Sequence, residues 1–136
     1  MKIFIVCSKK NYDKVSSVKD VLEHAGHSVT APNGYDEPGK EMELKSMDKE
    51  KFRFWKKEML KKDKEIIRAN DAILVLNFDK ENKKNYIGGA TFLEIYNAFD
   101  MDKKIYLFNP IPDGMLRDEI EGMNPIIING DLNKIL

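Results

Sequence analysis

The chain has 136 residues, enough for one domain with a real core and too few for two ordinary ones, so a second catalytic domain is excluded. Its 42% hydrophobic and 34% charged residues exclude a disordered or fibrous chain. Lys+Arg and Asp+Glu number 23 each, and this balance argues against a nucleic-acid polymer or an anionic membrane as the main partner and favours small molecules or proteins.

The first apolar segment, Ile3 to Cys7, reads as a strand that follows Met1-Lys2 with no signal-peptide pattern. No apolar run approaches the length of a membrane span, so a cytoplasmic location and no membrane partner are expected. Cys7, the single cysteine, reads as a small buried residue closing that strand, and with His24 and His27 alone no metal-ligand spacing is recognisable. After Ser8-Lys9-Lys10-Asn11, the residues Val15, Val18, Val21, Leu22 and Ala25 share one helical face, with Gly26 as the stop. Strand two is Val29 to Ala31. Pro32 to Ser46 contains Pro32, Gly34, Pro38 and Gly39, lacks periodicity and reads as a long loop, a length often given to functional lids.

A second helix is expected from Met47 to Arg68, with Asn70-Asp71 leading into strand three, Ala72 to Leu76. The third begins around Gly89 to Thr91 and ends near Met101, and it is apolar nearly all round, which predicts a largely buried helix. Strand four, Ile105 to Phe108, leads through the turn-rich Asn109-Pro110-Ile111-Pro112-Asp113-Gly114 to a short helix, Met115 to Glu121, and strand five, Ile126 to Ile128. Three of the strands are continuous apolar runs, the mark of strands covered on both faces. The expected fold is α/β: a single-domain three-layer sandwich over residues 1–136, with a five-stranded parallel sheet of the flavodoxin or Rossmann kind.

Ligands of such sheets bind beyond the carboxyl ends of the strands, where strand order reverses. Two acidic residues break the local pattern near that edge. The stripe Phe52, Trp55, Met59 and Ile66 of the second helix is interrupted by Asp63, a carboxylate facing the sheet that must be paired, hydrogen-bonded or protonated. Pairing at the cleft rim and catalysis are both open for it. Glu94 and Asn97 are the polar exceptions of the third helix and lie one turn apart on the same side. Glu94 is a candidate nucleophile, yet Thr91-Phe92-Leu93-Glu94 also matches a capping box, in which Glu94 would only bond the Thr91 amide. Tyr86-Ile87-Gly88-Gly89 permits close backbone approach to a ligand. Ser8 and Lys9 stand where a phosphate or ribose hydroxyl can be held, and Tyr12 and Tyr35 can stack on a planar base or serve as rim packing. Neither a P-loop nor a dinucleotide fingerprint is present, which argues against an ordinary NTPase or NAD enzyme.

Together these residues resemble the nucleoside 2-deoxyribosyltransferase superfamily, which includes deoxynucleoside-monophosphate N-glycosidases. The resemblance runs from the opening strand with Ser8, through Asp63-Lys-Glu-Ile-Ile-Arg-Ala-Asn-Asp71-Ala-Ile-Leu-Val, to Gly-Gly-Ala-Thr-Phe-Leu-Glu94 and Lys103-Lys104-Ile105. The longer Asn85-Tyr86-Ile87-Gly88-Gly89 turn, followed by Asn109-Pro110-Ile111-Pro112, resembles a subgroup of small bacterial and archaeal proteins. The chain departs from the family at Gly88, where an Asp or Ser is usual, and at Phe4, where a Tyr often stands. The resemblance implies Glu94 as nucleophile at C1′ and Asp63 positioning the sugar or helping to protonate the departing base. It implies a substrate contacted by Ser8, Lys9, Tyr12, Tyr86, Gly88, Gly89, Asn97 and Asn109, namely a nucleoside or 5′-nucleotide, with no metal or organic cofactor and a homodimeric assembly. The alternatives are a non-catalytic nucleotide-binding or sensing domain, and a flavodoxin-like or receiver-like module sharing only the architecture.

Overall fold

The apolar run Lys2–Val6 forms β1 of a five-stranded, wholly parallel sheet in the computed structural model, which describes residues 1–136. β2 (Ser28–Thr30), β3 (Ala72–Val75), β4 (Lys104–Leu107) and β5 (Ile126–Ile127) complete it in the order β2-β1-β3-β4-β5. Ile3 pairs with Ala72 and Val6 with Val75 across the β1–β3 seam, and β4 follows β3 in step, Ala72 opposite Lys104. Asp71 pins this register: its backbone amide donates to the Lys2 carbonyl and its carboxylate accepts from the Lys2 amide, both at 2.8 Å.

Because successive strand residues point to opposite faces, the sheet builds two cores. Phe4, Val6, Ile73, Val75, Ile105 and Leu107 face α3 (Lys49–Arg68), α4 (Gly89–Asp100) and α5 (Arg117–Gly122) through Ile67, Ile95, Ala98 and Ile120. Ile3, Ile5, Leu74 and Tyr106 face α1 (Tyr12–His24) through Val15, Val18 and Leu22, with Ile128 and Ile135 of the C-terminal segment. Burying a large aliphatic side chain of this kind contributes about 1.5–3 kcal/mol. α3 starts on Asp48, whose carboxylate accepts from the Glu50 and Lys51 amides at 3.0 and 3.2 Å, and it ends with Lys103 Nζ donating to the Arg68 carbonyl at 3.1 Å. No helix is long and apolar enough to cross a membrane.

The strands fall within one residue or so of their expected bounds, and three features differ. Lys40–Met47 is a helix, α2, inside the segment expected to be a loop; it buries no side chain, so it leaves no hydrophobic period in the sequence. α4 is not largely buried: Leu93, Tyr96 and Phe99 are each about half exposed. Cys7 lies past the end of β1 and is half-buried rather than enclosed.

Candidate functional site

β1 and β3 lie side by side, while the chain leaves β1 for β2 on one side and β3 for β4 on the other. The loops therefore diverge at their carboxyl ends, and a cleft of about 580 Å³ opens there. Ser8, Lys9 and Tyr12 enter from the end of β1, Asn33 and Gly34 from the loop after β2, and Glu41 and Lys45 from α2. Trp55, Lys56, Met59 and Asp63 enter from α3, and Tyr86, Gly88, Gly89 and Glu94 from the β3–α4 connection and α4.

Asp63 and Glu94 meet in this cleft. α3 packs on α4 on the same face of the sheet, and both residues are over nine-tenths buried, at 7% and 8% exposure. Each bears directly on the ionisation of the other. Burial raises Asp63, although the hydrogen bond from Asn33, the Glu94 carboxyl and the charges of Lys56 and Lys62 work the other way. Burial raises Glu94 much further, helped by the Asp63 carboxyl, against a lowering effect of Lys56. Two buried carboxyls so placed resist ionising together, and the stronger upward push falls on Glu94.

The capping-box alternative for Glu94 is overturned. α4 begins at Gly89 with Gly88 in the cap position, so Thr91 is already its third residue and Glu94 its sixth, a turn past the free amides. No side chain caps this helix start.

Asn33, which the sequence reading passes over, holds the pair in place. Its Nδ2 donates to Asp63 Oδ1 at 2.9 Å and to the Met59 carbonyl at 3.1 Å, while its Oδ1 is buried without a partner. The following Gly34 has φ +88°, and a Cβ there would approach Met59 Cε to 3.3 Å, so glycine suits both the backbone and the space. Gly88 plays a different part. Its backbone is extended at φ −82°, but a Cβ would lie 3.3 Å from Tyr86 Oη, so the missing side chain makes room for the Tyr86 phenol. Lys80 lies 4.7 Å from the centre of that ring.

The Tyr12 hydroxyl is 3.5 Å from the Asn33 carbonyl, and its ring meets Tyr35 edge-on at 5.4 Å. Burial, then the charges of Cys7, Glu94, Asp63 and Glu41, push its ionisation up, so the phenol stays neutral. Cys7 is raised to about 12 by burial and by Glu94 and Asp13, which makes it a neutral thiol and not a nucleophile. Phe4 is wholly buried in the core, so β1 brings no hydroxyl from that position.

Two of the expected contact residues lie elsewhere. Asn97 is three residues beyond Glu94, about 4.5 Å along the helix axis, and does not line the cavity. Asn109 is spent on structure: its amide donates to Asn77 Oδ1 at 2.9 Å and its Nδ2 to the Asn77 carbonyl at 3.1 Å. Asn77 completes the knot by donating to the carbonyls of Asn109 and Pro110. Besides Asn33, sequence reading misses Lys56 and Glu41. Lys56 carries a usable signal, since it lies seven residues before Asp63 and thus on the same helical face. Glu41 carries none.

No sequence-family model matches the chain, and no curated protein matches it by sequence. Solved structures do. The 2-deoxyribosyltransferase of the psychrotolerant bacterium Bacillus psychrosaccharolyticus superposes with a TM-score of 0.65 at 20% identity, over 99% of this chain and 90% of that one. The CMP N-glycosidase BcmB of Clostridium botulinum superposes with a TM-score of 0.53 at 18% identity, over 99% of this chain and 98% of that one. The resemblance noted in the sequence is therefore met by the architecture, and the chain has the fold that the 2-deoxyribosyltransferase and the CMP N-glycosidase share.

Proposed function

We propose that the chain is an enzyme of N-glycosidic bonds, acting on a nucleoside or 5′-nucleotide, with Glu94 as nucleophile and Asp63 as its proton partner. The observation that carries this reading is the buried pair of carboxylic acids, Asp63 and Glu94, brought into one cleft at the point where strand order reverses. A structural ion pair would join opposite charges; two carboxyls buried together in a cleft are an arrangement suited to acid-base work.

The proton count fits the reaction. As a Glu94 oxygen bonds to C1′, the C1′–N bond breaks and its electrons leave with the base, which needs one proton. Glu94 must lose one proton to attack. Asp63 accepts it from Glu94 and delivers it to the base, so the pair's single proton leaves with the product. In the second half, water or a second base attacks C1′ of the glycosyl ester, and its proton returns to the pair, with retention at C1′. Tyr12 and Tyr86 offer aromatic surface for the base, and Ser8, Lys9, Gly88 and Gly89 line the remainder. The chemistry calls on no metal or organic cofactor. The half-exposed Leu93, Tyr96 and Phe99 of α4 are the surface on which the expected homodimer would form, and light scattering on the purified protein tests it.

The decisive experiment incubates purified protein with deoxynucleosides and their 5′-monophosphates and follows free base by chromatography, with and without a second base. Base release by the natural protein, lost in Glu94→Gln, is expected. No release, together with nucleotide binding that Glu94→Gln leaves unchanged, would instead identify a binding or sensing domain.

A further inference from the structure

The cleft contains a carboxylate that plays no part in the acid pair and is nevertheless held at both oxygens. Glu41 Oε2 lies 3.1 Å from Lys9 Nζ, and Glu41 Oε1 lies 3.3 Å from Lys56 Nζ. The two ammoniums come from opposite walls, one from the end of β1 and the other from α3, and close on one planar anion. Burial by itself would raise the Glu41 carboxyl, but the bond to Lys9 and the charge of Lys56 outweigh it and hold the group below its ordinary value. Lys56 also bears on both Asp63 and Glu94, so the clamp adjoins the reacting end of the cleft.

α2, which carries Glu41, buries none of its side chains. A helix with so little apolar anchorage depends on polar ties such as this one for its place on the cleft wall.

We propose that Lys9 and Lys56 form the subsite for the phosphate of a phosphomonoester substrate, and that Glu41 is its built-in occupant, exchanged for that phosphate when substrate enters. The inference rests on the reading of the cleft as a nucleotide site and deepens it. The exchange is favoured by charge and by exposure. The three side chains keep between 27% and 39% of their surface in water, so each Lys–Glu pair is weak and easily opened. A phosphate dianion brings two charges and three acceptor oxygens to the same two ammoniums, where Glu41 brings one charge and two oxygens. An unphosphorylated nucleoside has no group to displace Glu41 and leaves the clamp occupied. Glu41 thus selects by exchange: only a substrate carrying its own anion recovers the interaction it breaks.

Inorganic phosphate is the probe, with the full chain and its Glu41→Gln, Glu37→Gln and Lys56→Met variants compared by calorimetry. Glu41→Gln should bind phosphate about two- to thirtyfold tighter, the range corresponding to two exposed ion pairs released from competition. Glu37→Gln removes an equal charge from the cleft wall outside the clamp and should stay within about twofold of the natural protein. Lys56→Met should weaken binding whether or not Glu41 is present. Hydrogen exchange supplies the second readout: phosphate should speed amide exchange in Lys40–Met47 of the natural protein and leave it unchanged in Glu41→Gln, where the tie is already lost. Unaltered or weaker binding by Glu41→Gln, equal gains in Glu37→Gln and Glu41→Gln, α2 exchange indifferent to phosphate, or no phosphate binding by any variant would each overturn the inference. The probe contains no glycosidic bond. Tighter phosphate binding without base release would sink the enzymatic reading and keep the subsite, and base release without these phosphate effects would do the reverse.

Discussion

Asn33→Leu is the perturbation that most directly tests whether the acid pair works as a unit. Leucine nearly matches asparagine in shape, so the change removes two hydrogen bonds without opening a large hole. The bond to the Asp63 carboxylate, 2.9 Å long and charge-assisted, is of a class worth about 1.5–3 kcal/mol, and the bond to the Met59 carbonyl adds about 0.5–1.5 kcal/mol. Against this stands the partnerless Oδ1, whose removal returns about 1–3 kcal/mol. The two sides nearly cancel, so the unfolding free energy should change by less than about 2 kcal/mol. Activity should not cancel. Asn33 favours the ionised form of Asp63, and without it Asp63 is a poorer acceptor of the Glu94 proton. Loss of a charge-assisted bond at this point corresponds to about a 10- to 100-fold fall in kcat/KM for base release, with the acidic limb of the pH profile displaced upward. The assays are base release across pH and thermal unfolding on the same samples. A variant that keeps the natural pH profile, or one that loses activity only in proportion to its unfolding, refutes the reasoning.

Glu94→Gln should stabilise the fold at neutral pH. Because the Glu94 carboxyl is raised in the folded state, the stability it contributes is present in acid, below its unfolded value, and is lost as pH rises through the folded one. Glutamine has no proton to lose and can still donate to Asp63, so its melting point should exceed that of the natural protein near pH 7.5 and converge with it near pH 4, at about 3–6 °C per kcal/mol; an advantage seen only in acid would contradict the assignment. Asn77→Ala strips three side-chain hydrogen bonds from a fully buried site between the β3 and β4 loops, and should lower stability by about 2–4 kcal/mol, read as a melting-point fall of about 10 °C. Gly88→Ala leaves the backbone unstrained at φ −82° but crowds Tyr86 Oη, so KM should rise severalfold with little change in melting point. A pure fall in kcat would instead place Tyr86 at the reacting bond.

How much of this was legible in the sequence depends on which physical signal each residue leaves. Asp63 was conspicuous because a carboxylate in an apolar helical stripe breaks a period that burial enforces, and it lies where α3 meets α4. Glu94 was ambiguous, since Thr-x-x-Glu has the same spacing whether the helix starts at Thr91 or three residues earlier, and only the extended backbone at Gly88 decides. Asn97 and Glu94 share a helix side, but a side chain one turn away no longer reaches the same cavity. The strands were plain from continuous apolar runs, whereas α2 was hidden because a helix without a buried face has no periodicity to read. Asn33 and Asn109 show the limit: each is an asparagine beside a proline, and which one serves the cleft and which the scaffold follows from long-range partners.

Lys9, Asn33, Asp63 and Glu94 belong to four stretches separated by most of the polypeptide, and they become neighbours only after β1 and β3 have zipped and both flanking crossovers have settled. A half-assembled domain thus has the Asn33 tie to Asp63 and the Lys9 ammonium in separate places. In a refolding experiment, recovery of base release should therefore follow the long-range strand pairing and not the earlier formation of single helices.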